Sequence, residues 1–189
     1  KHLCLRFGQS ACVVNTIIHT TCSVRARPRC RIGKDSRCER ESPEAAYYGI
    51  HTARAVENFP ITGLLLNHDP ELVQSLARTK KAAALANLEL GALAPDIAAA
   101  IIVACDQIIA GQGHEFFVVD MLQGGAGTST NMNANEFIAN MALRHLGKKR
   151  GDYASISPTD HVNLSQSAND VSPTAVRLTI LRDCTSLLE

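Results

Sequence analysis

The sequence contains no tryptophan, and aromatic residues make up only 4% of it. Aromatic and β-branched side chains favour strands, so their scarcity beside abundant alanine and leucine indicates helices and argues against a β-sandwich. No apolar run approaches the roughly 18 residues that a membrane-spanning helix needs. The net charge of +1 over 189 residues gives no strong attraction to a polyanion. We therefore expect a helical globular domain that binds neither nucleic acid nor a membrane.

Acidic residues are missing from residues 1–34, and five of the seven cysteines lie in the first 38 residues. No C-x-x-C pair occurs, so a metal site has little support, and the uneven distribution argues against a secreted disulfide framework. We expect a reducing, cytoplasmic location. The basic segment 1–30 could be an organellar transit segment, a degraded or mistranslated leader, or a small basic binding arm.

The most informative stretch is Gln123–Asn140, which reads QGGAGTSTNMNANEFIAN. Its glycines let a ligand approach the main chain, and the short hydroxyl side chains that follow supply donors just before a helix. Apolar residues at helical spacing predict that this helix begins at about Asn135 and ends at Gly147. A Walker loop would need a lysine after its last glycine, and a dinucleotide loop would need glycine or alanine where Thr130 stands. The stretch predicts a polar, anion-accepting loop at a helix start.

Further helices are predicted on both sides of this stretch. Residues Asp69–Gly111 read as two antiparallel helices, with Asp69 capping the first and Cys105 in the apolar stripe of the second. A last helix is predicted over Thr174–Leu188, after a second polar loop at Gly151–Pro173. On the residues alone, both polar loops could also be plain turns or helix caps.

Two other segments read as irregular structure. Residues Tyr47–Gly63 have the sequence YYGIHTARAVENFPITG, in which Pro60 and Gly63 predict an extended or looped piece rather than a regular element. Residues Asp35–Pro43 read as a polar, turn-rich lead-in to it.

Three strings carry a resemblance to a known family: the Gln123–Asn140 and Tyr47–Gly63 strings, and QSAND at 166–170 with a Pro-Thr pair shortly after it. Together they resemble the aspartase/fumarase superfamily, and most closely its aspartate ammonia-lyases. The similarity covers roughly residues 31–189. It implies a mainly α fold in which 31–164 form the N-terminal lyase domain, 165–189 begin the central helix bundle, and 1–30 are an unmatched leader.

The resemblance also implies a function and a site. Members of the family eliminate ammonia from the dicarboxylate L-aspartate to give fumarate, need no organic cofactor, and assemble as homotetramers through their bundle helices. An arm carrying His51 and Arg54 lies near the active site in the family. Matching the motifs position by position assigns the following residues to substrate contact or to shaping the loop around it: Thr128, Ser129, Asn131, Ser167 and Asn169.

This sequence departs from the family pattern in two ways. Ala168 stands where ammonia-lyases generally have threonine and fumarases have serine, which removes one substrate hydroxyl. The downstream GSSxMPxKxN motif, which carries the proton-abstracting serine in the family, and the THxQ motif before it do not occur in the 189 residues. We therefore expect an N-terminal fragment of an ammonia-lyase that holds no catalytic residue and has no turnover by itself.

Two alternative functions stay open. The first is a class II fumarase, which hydrates fumarate to malate; against it, the loop reads GGAGTST where fumarases tend to read GSGTQT. The second is a noncatalytic fragment derived from a lyase, which is suggested by Ala168, the missing motifs and the unmatched leader.

Overall fold

The structure is a computed structural model that describes residues 30–34, 39–43, 46–123 and 125–188. The predicted leader at 1–30 lies outside the described residues except for Cys30, and Gly124 is also outside them. The first described element is an antiparallel hairpin, in which β1 at Cys30–Lys34 pairs with β2 at Glu39–Pro43. The prediction of a turn-rich lead-in was therefore wrong for the second strand, because main-chain pairing stabilises a strand that its polar side chains do not indicate.

Helices form most of the remaining described chain, which confirms the predicted mainly α fold. Helix α4 is enclosed along most of its length, with α1 and α3 packed on it, while α2 packs on α3 and α5. None of the described helices combines the length and apolar character that a membrane crossing requires. The helices are α1 Ile50–Asn58, α2 Pro70–Glu89, α3 Pro95–Ile109, α4 Thr128–His145 and α5 Ala168–Leu188, with short helical turns at Leu66–His68, His114–Phe116 and Pro158–Val162.

The pair formed by α2 and α3 confirms the predicted helical hairpin. The Asp69 carboxylate accepts a hydrogen bond from the Leu72 N–H at 3.0 Å, which satisfies one of the free donors at the start of α2. Cys105 is fully buried in the apolar core, as predicted. Burial, with a smaller influence of the Asp106 charge, raises the pKa of its thiol to about 12, so the side chain packs as a neutral hydrophobe.

Helix α1 corrects the prediction of an extended or looped segment at Tyr47–Gly63. The buried Glu136 carboxylate of α4 accepts hydrogen bonds from the N–H groups of Gly49, His51 and Thr52, at 2.9 to 3.0 Å. This distant carboxylate does what a local cap does elsewhere, since it satisfies the donors at a helix start and opposes the positive end of the dipole. Pro60 lies beyond the end of α1 and does not interrupt it.

Helix α4 begins at Thr128, earlier than the predicted start at about Asn135. The asparagines in its first turns have low helix propensity, but tertiary hydrogen bonds hold them in place. The Asn133 side chain accepts from the Val118 N–H and donates to the Phe116 carbonyl, both at 3.1 Å. These bonds outweigh the local preference of asparagine for turns.

Helix α5 begins at Ala168 rather than at the predicted Thr174, and Pro173 lies inside its second turn. The predicted polar loop therefore ends earlier than expected. Because proline has no N–H, the helix cannot supply the usual donor to the carbonyl of Asn169, four residues earlier. The proline is tolerated because the loss falls near the helix start.

Candidate functional site

The two polar turns that the sequence indicated lie side by side. The Ser172 hydroxyl on α5 donates to the carbonyl oxygen of Gly127, the residue just before α4, at 3.2 Å. Gly127 has a φ of +81°, and a Cβ there would collide with the Ser172 side chain. Glycine is therefore required at this position both by backbone conformation and by the close approach of α5.

A cavity of about 490 Å³ opens where the two turns meet. Its wall is mostly apolar, with polar groups concentrated at the starts of α4 and α5. Of the residues predicted to contact substrate or shape the loop, Asn169 belongs to the lining. Gln123, Thr130 and Ser172 also line the cavity but were not in that set. The apolar lining residues are Leu66, Leu72, Met121, Leu122, Ala126, Pro173 and Val176.

Thr128 and Ser129 lie in the first turn of α4. The exposed Thr128 hydroxyl donates to the Gly125 carbonyl at 2.7 Å, and Ser129 is half-buried. Thr130 is the residue of this run that is buried against the cavity. The sequence could have identified Thr130 as the residue beside the cavity only if the start of α4 had been predicted correctly. The position of a residue in the helix determines the side toward which its side chain points.

Ser167 caps α5. Its hydroxyl oxygen accepts from the Asn169 N–H at 3.2 Å, and its carbonyl accepts from the N–H groups of Asp170 and Val171 at 3.0 Å. A hydroxyl that accepts one hydrogen bond still has its own hydrogen to donate. The capping role and the predicted substrate contact are therefore compatible at this position.

Asn131 lies behind the cavity and is not part of its lining. Its side chain is buried and donates to the Asn163 Oδ1 at 3.0 Å, while its own Oδ1 accepts no hydrogen bond from the described residues. The same Asn163 oxygen accepts from the fully buried Lys80 at 2.9 Å. Asn131 thus connects the start of α4 to a buried polar cluster, and its loop-shaping role stays a prediction.

Asp120 ties the loop after α1 to the segment that leads into the glycine-rich turn. Its carboxylate accepts from the N–H groups of Ile61, Thr62, Gly63 and Leu122, and from the Thr62 hydroxyl at 2.7 Å. Burial alone would raise the pKa of Asp120, but the hydrogen bonds from Thr62, Leu122 and Gly63 outweigh it and lower the pKa to about 2. The ionised carboxylate therefore fixes one wall of the cavity.

We expect Asp120→Asn to lower the thermal unfolding midpoint by several degrees at pH 7. The folded pKa of Asp120 is depressed below its ordinary value of 3.8, so its contribution is full above about pH 4 and is lost as the pH falls toward 2. When midpoints from circular dichroism are compared, the difference between wild type and variant should be the same at pH 7 and pH 5 and smaller at pH 3. A difference that stays constant down to pH 3 would contradict this assignment.

The predicted arm residues lie on α1, at a different part of the structure. The backbone N–H of His51 donates to Glu136, and His51 lines a second cavity of about 180 Å³ together with Tyr153 and Ser157. Arg54 lies on the same helix and is half-buried. Within the described residues, the arm and the cavity at Gly127 and Asn169 do not share a pocket.

No cluster of three or more metal-ligating side chains is present within the described ranges. The polar groups around the larger cavity are hydroxyls, amides and main-chain groups, with Asp120 engaged by its own donors. Such neutral, preset donors suit the binding of an anionic group without a counter-charge.

The structure is a helical domain in which two polar turns meet at one cavity. Comparisons with known proteins identify the class of protein to which this domain belongs. A family model described as Lyase matches residues 38–189. The chain belongs to this lyase family. The resemblance to aspartate ammonia-lyases is likewise confirmed: the chain is 54% identical over 158 residues to one from Pseudomonas aeruginosa and 52% identical over 159 residues to one from a Bacillus species.

These matches cover 84% of this chain but only 33% and 34% of the two relatives. The chain therefore spans about a third of the length of the curated relatives. A crystal structure described as a fumarate lyase:delta crystallin from Brucella melitensis superposes with a TM-score of 0.80 at 59% identity, over 82% of this chain and 36% of that one. A class II fumarase from Schistosoma mansoni superposes with a TM-score of 0.74 at 36% identity, over 80% of this chain and 32% of that one.

Proposed function

We propose that this chain supplies two substrate-binding turns of an aspartate ammonia-lyase, which eliminates ammonia from L-aspartate to give fumarate. The observation that carries the proposal is the contact between the turns, where the Ser172 hydroxyl donates to the Gly127 carbonyl. Support comes from curated aspartate ammonia-lyases that are identical to this chain at about half of the aligned residues. The binding residues of the proposal are Thr128, Ser129, Asn131, Ser167 and Asn169, with the arm residues His51 and Arg54 contributed from α1.

The chemistry explains why such turns are needed. Elimination removes a proton from the carbon beside a carboxylate, and the electron pair left behind gives that carboxylate a second negative charge. The pair then forms the carbon–carbon double bond as the carbon–nitrogen bond breaks and ammonia leaves with its bonding electrons. Donors held in place before the reaction stabilise this charge without reorganising, and the loss of one costs roughly 3 kcal/mol of barrier. In our proposal the Ser167 hydroxyl and the Asn169 side-chain amide supply these donors. The Thr128 hydroxyl donates to the Gly125 carbonyl in this structure and joins them by turning from that acceptor to the substrate. The base that removes the proton belongs to a part of the full-length relatives that this chain does not span.

Ala168 provides a direct test of this assignment, because it lies between two proposed donors and has no hydroxyl. We expect Ala168→Thr to raise kcat/KM for L-aspartate at least tenfold in an assembled enzyme, since it adds a donor to the substrate carboxylate. The measurement is fumarate absorbance. Ala168→Val, which has the same shape without the hydroxyl, is the matched control and should give no gain. An equal gain from both variants would assign the effect to packing.

The function itself can be tested with two proteins. The first is the 189-residue chain alone, for which we expect no turnover of L-aspartate. The second is a chimera in which residues 38–189 replace the matching part of the Bacillus relative, for which we expect fumarate release. Fumarate release by the chain alone would contradict the first expectation, and an inactive, correctly assembled chimera would contradict the proposed activity.

A class II fumarase is the second candidate, since the Schistosoma enzyme shares the fold at 36% identity. Offering L-malate and L-aspartate to the same chimera distinguishes the two activities, and we expect fumarate from L-aspartate. The noncatalytic alternative predicts that the chimera binds neither acid in a calorimetric titration.

We further propose that the assembled enzyme is a cytoplasmic homotetramer. Support for the location is the uneven distribution of cysteines and the free thiols of Cys105 and Cys184 within the described residues. Support for assembly is the apolar surface that α5 leaves exposed at Val176 and Ile180. Sedimentation of the chimera measures the oligomeric state.

A further inference from the structure

A fully buried lysine lies behind the two turns, and none of the roles described above uses it. Lys80, on α2, has no exposed surface, and its Nζ donates to the Asn163 Oδ1 at 2.9 Å and to the Gln166 Oε1 at 3.0 Å. Both acceptors are neutral amides. Burying an ammonium group without a carboxylate partner is costly, so its presence calls for a reason other than stability.

The two acceptors connect Lys80 to both proposed substrate turns. Gln166 immediately precedes Ser167, and the Asn163 Nδ2 donates to the Gln166 carbonyl at 3.0 Å, which closes this turn. The Asn163 Oδ1 also accepts from the Asn131 and Asn135 side chains on α4, at 3.0 and 3.2 Å. Lys80 therefore holds the approach to α5 directly, and it is linked to the first turns of α4 through the Asn163 oxygen that it shares with Asn131 and Asn135.

The surroundings of Lys80 are otherwise uncharged. The groups that face it from α4 and from the 163–166 turn are amides, and the titratable group that acts on it from α3, among the described residues, is Cys105. Burial lowers the pKa of Lys80 to about 7 and outweighs the opposite influence of Cys105. Because burial raises the pKa of the Cys105 thiol to about 12, that thiol is neutral near neutral pH and gives the ammonium no counter-charge.

We propose that Lys80 is a positioning residue that holds the two substrate turns of this lyase in register and places a buried positive charge behind them. This inference rests on the proposed function, because holding the two turns in place affects activity only if the turns bind an anionic substrate. A neutral amine still donates to Asn163 and Gln166, so deprotonation keeps the geometry and removes the charge. Geometry and charge can therefore be tested separately.

The geometry is tested by amide hydrogen exchange on the 189-residue chain. Lys80→Met keeps the apolar stem and removes the donors, and we expect at least tenfold faster exchange at 163–170 and at 128–135, with less than a twofold change on α3. The neighbouring Lys81→Met is the matched control, because Lys81 pairs with Asp106 at 2.6 Å and lies partly exposed. Its exchange should change less than twofold in both turns. Unchanged exchange rates in both turns of Lys80→Met, or an equal increase in the exchange rate throughout the chain, would overturn the proposal.

A second variant covers the case in which Lys80→Met does not fold. Gln166→Met leaves Lys80 bound to Asn163 but removes the Lys80–Gln166 bond together with the bonds from Gln166 to the Val162 and Leu164 carbonyls. It should speed exchange at 163–170 while leaving 128–135 within twofold of wild type. Equal acceleration of both segments would contradict the separate links that Asn163 and Gln166 provide.

The charge is tested in the assembled chimera through the pH dependence of kcat/KM for L-aspartate. We expect an inflection near pH 7, with activity falling as Lys80 loses its proton, and loss of that inflection with a 10- to 100-fold lower kcat/KM in Lys80→Met. If Lys80 has only a structural role, Lys80→Met should lower kcat/KM but keep the inflection at the same pH. That result would contradict the proposed effect of the Lys80 charge. An inactive wild-type chimera would count against the proposed function, whereas hydrogen exchange would still decide the positioning role.

Discussion

Replacing Glu136 by leucine is expected to lower the free energy of unfolding by about 4 kcal/mol at pH 7. The carboxylate is fully buried and accepts from three N–H groups at the start of α1 and from the Thr52 hydroxyl at 2.6 Å. Leucine fills similar space but accepts nothing, so these donors lose their partner inside the protein. Urea unfolding followed by circular dichroism measures the change.

Two controls separate the lost hydrogen bonds from other effects of the Glu136 substitution. Glu136→Gln keeps one oxygen as an acceptor and should cost about half as much as leucine. Glu115→Gln changes an exposed carboxylate and should cost less than about 0.5 kcal/mol. A loss below about 1 kcal/mol for Glu136→Leu would show that α1 does not depend on this carboxylate.

The stability of the wild-type chain is expected to rise by about 2 kcal/mol between pH 7 and pH 9. Burial lowers the folded pKa of Lys80 to about 7 from an ordinary value of 10.5, so above pH 7 the unfolded state binds more protons than the folded state. Stability therefore increases with pH. From about pH 8 upward Cys105 increasingly opposes this rise, because its folded pKa of about 12 exceeds its ordinary value of 9.0.

Urea unfolding at half-unit steps from pH 6.5 to pH 10, with a reductant present, measures this curve. Lys80→Met should be flat from pH 7 to about pH 8 and then decline, whereas Cys105→Ala should continue to rise toward pH 10.5. A wild-type curve that is flat from pH 7 to pH 9 would show that Lys80 keeps an ordinary pKa in the folded chain.

The sequence correctly predicted those helix boundaries that are determined by residues nearby in the chain. Asp69 followed by Pro70 placed the start of α2 correctly, since a cap and a first-turn proline act locally. Helix α1 could not be predicted in this way, because the carboxylate that caps it is Glu136, more than 80 residues away in the chain. The early start of α4 was missed for the same reason, since Asn133 is held by main-chain groups of another segment.

The candidate site was predictable in part. The sequence indicated the two turns, and Asn169 lies in the cavity where they meet. It could not indicate which hydroxyl of the Thr128–Thr130 run faces that cavity, because the facing depends on a helix start that tertiary contacts decide. Lys80 was missed altogether: it lies next to another lysine in an amphipathic helix, and nothing in the local pattern distinguishes a buried lysine from a solvated one.

The bond between α1 and Glu136 also sets an order of events during synthesis. A nascent chain that has emerged only as far as α3 contains every residue of α1 but not the acceptor for its first N–H groups. Short isolated helices are marginal in water, so α1 should form only after Glu136 has left the ribosome and α4 has docked. The arm that carries His51 and Arg54 is thus among the later parts of the described chain to fold, although it is among the first to be made.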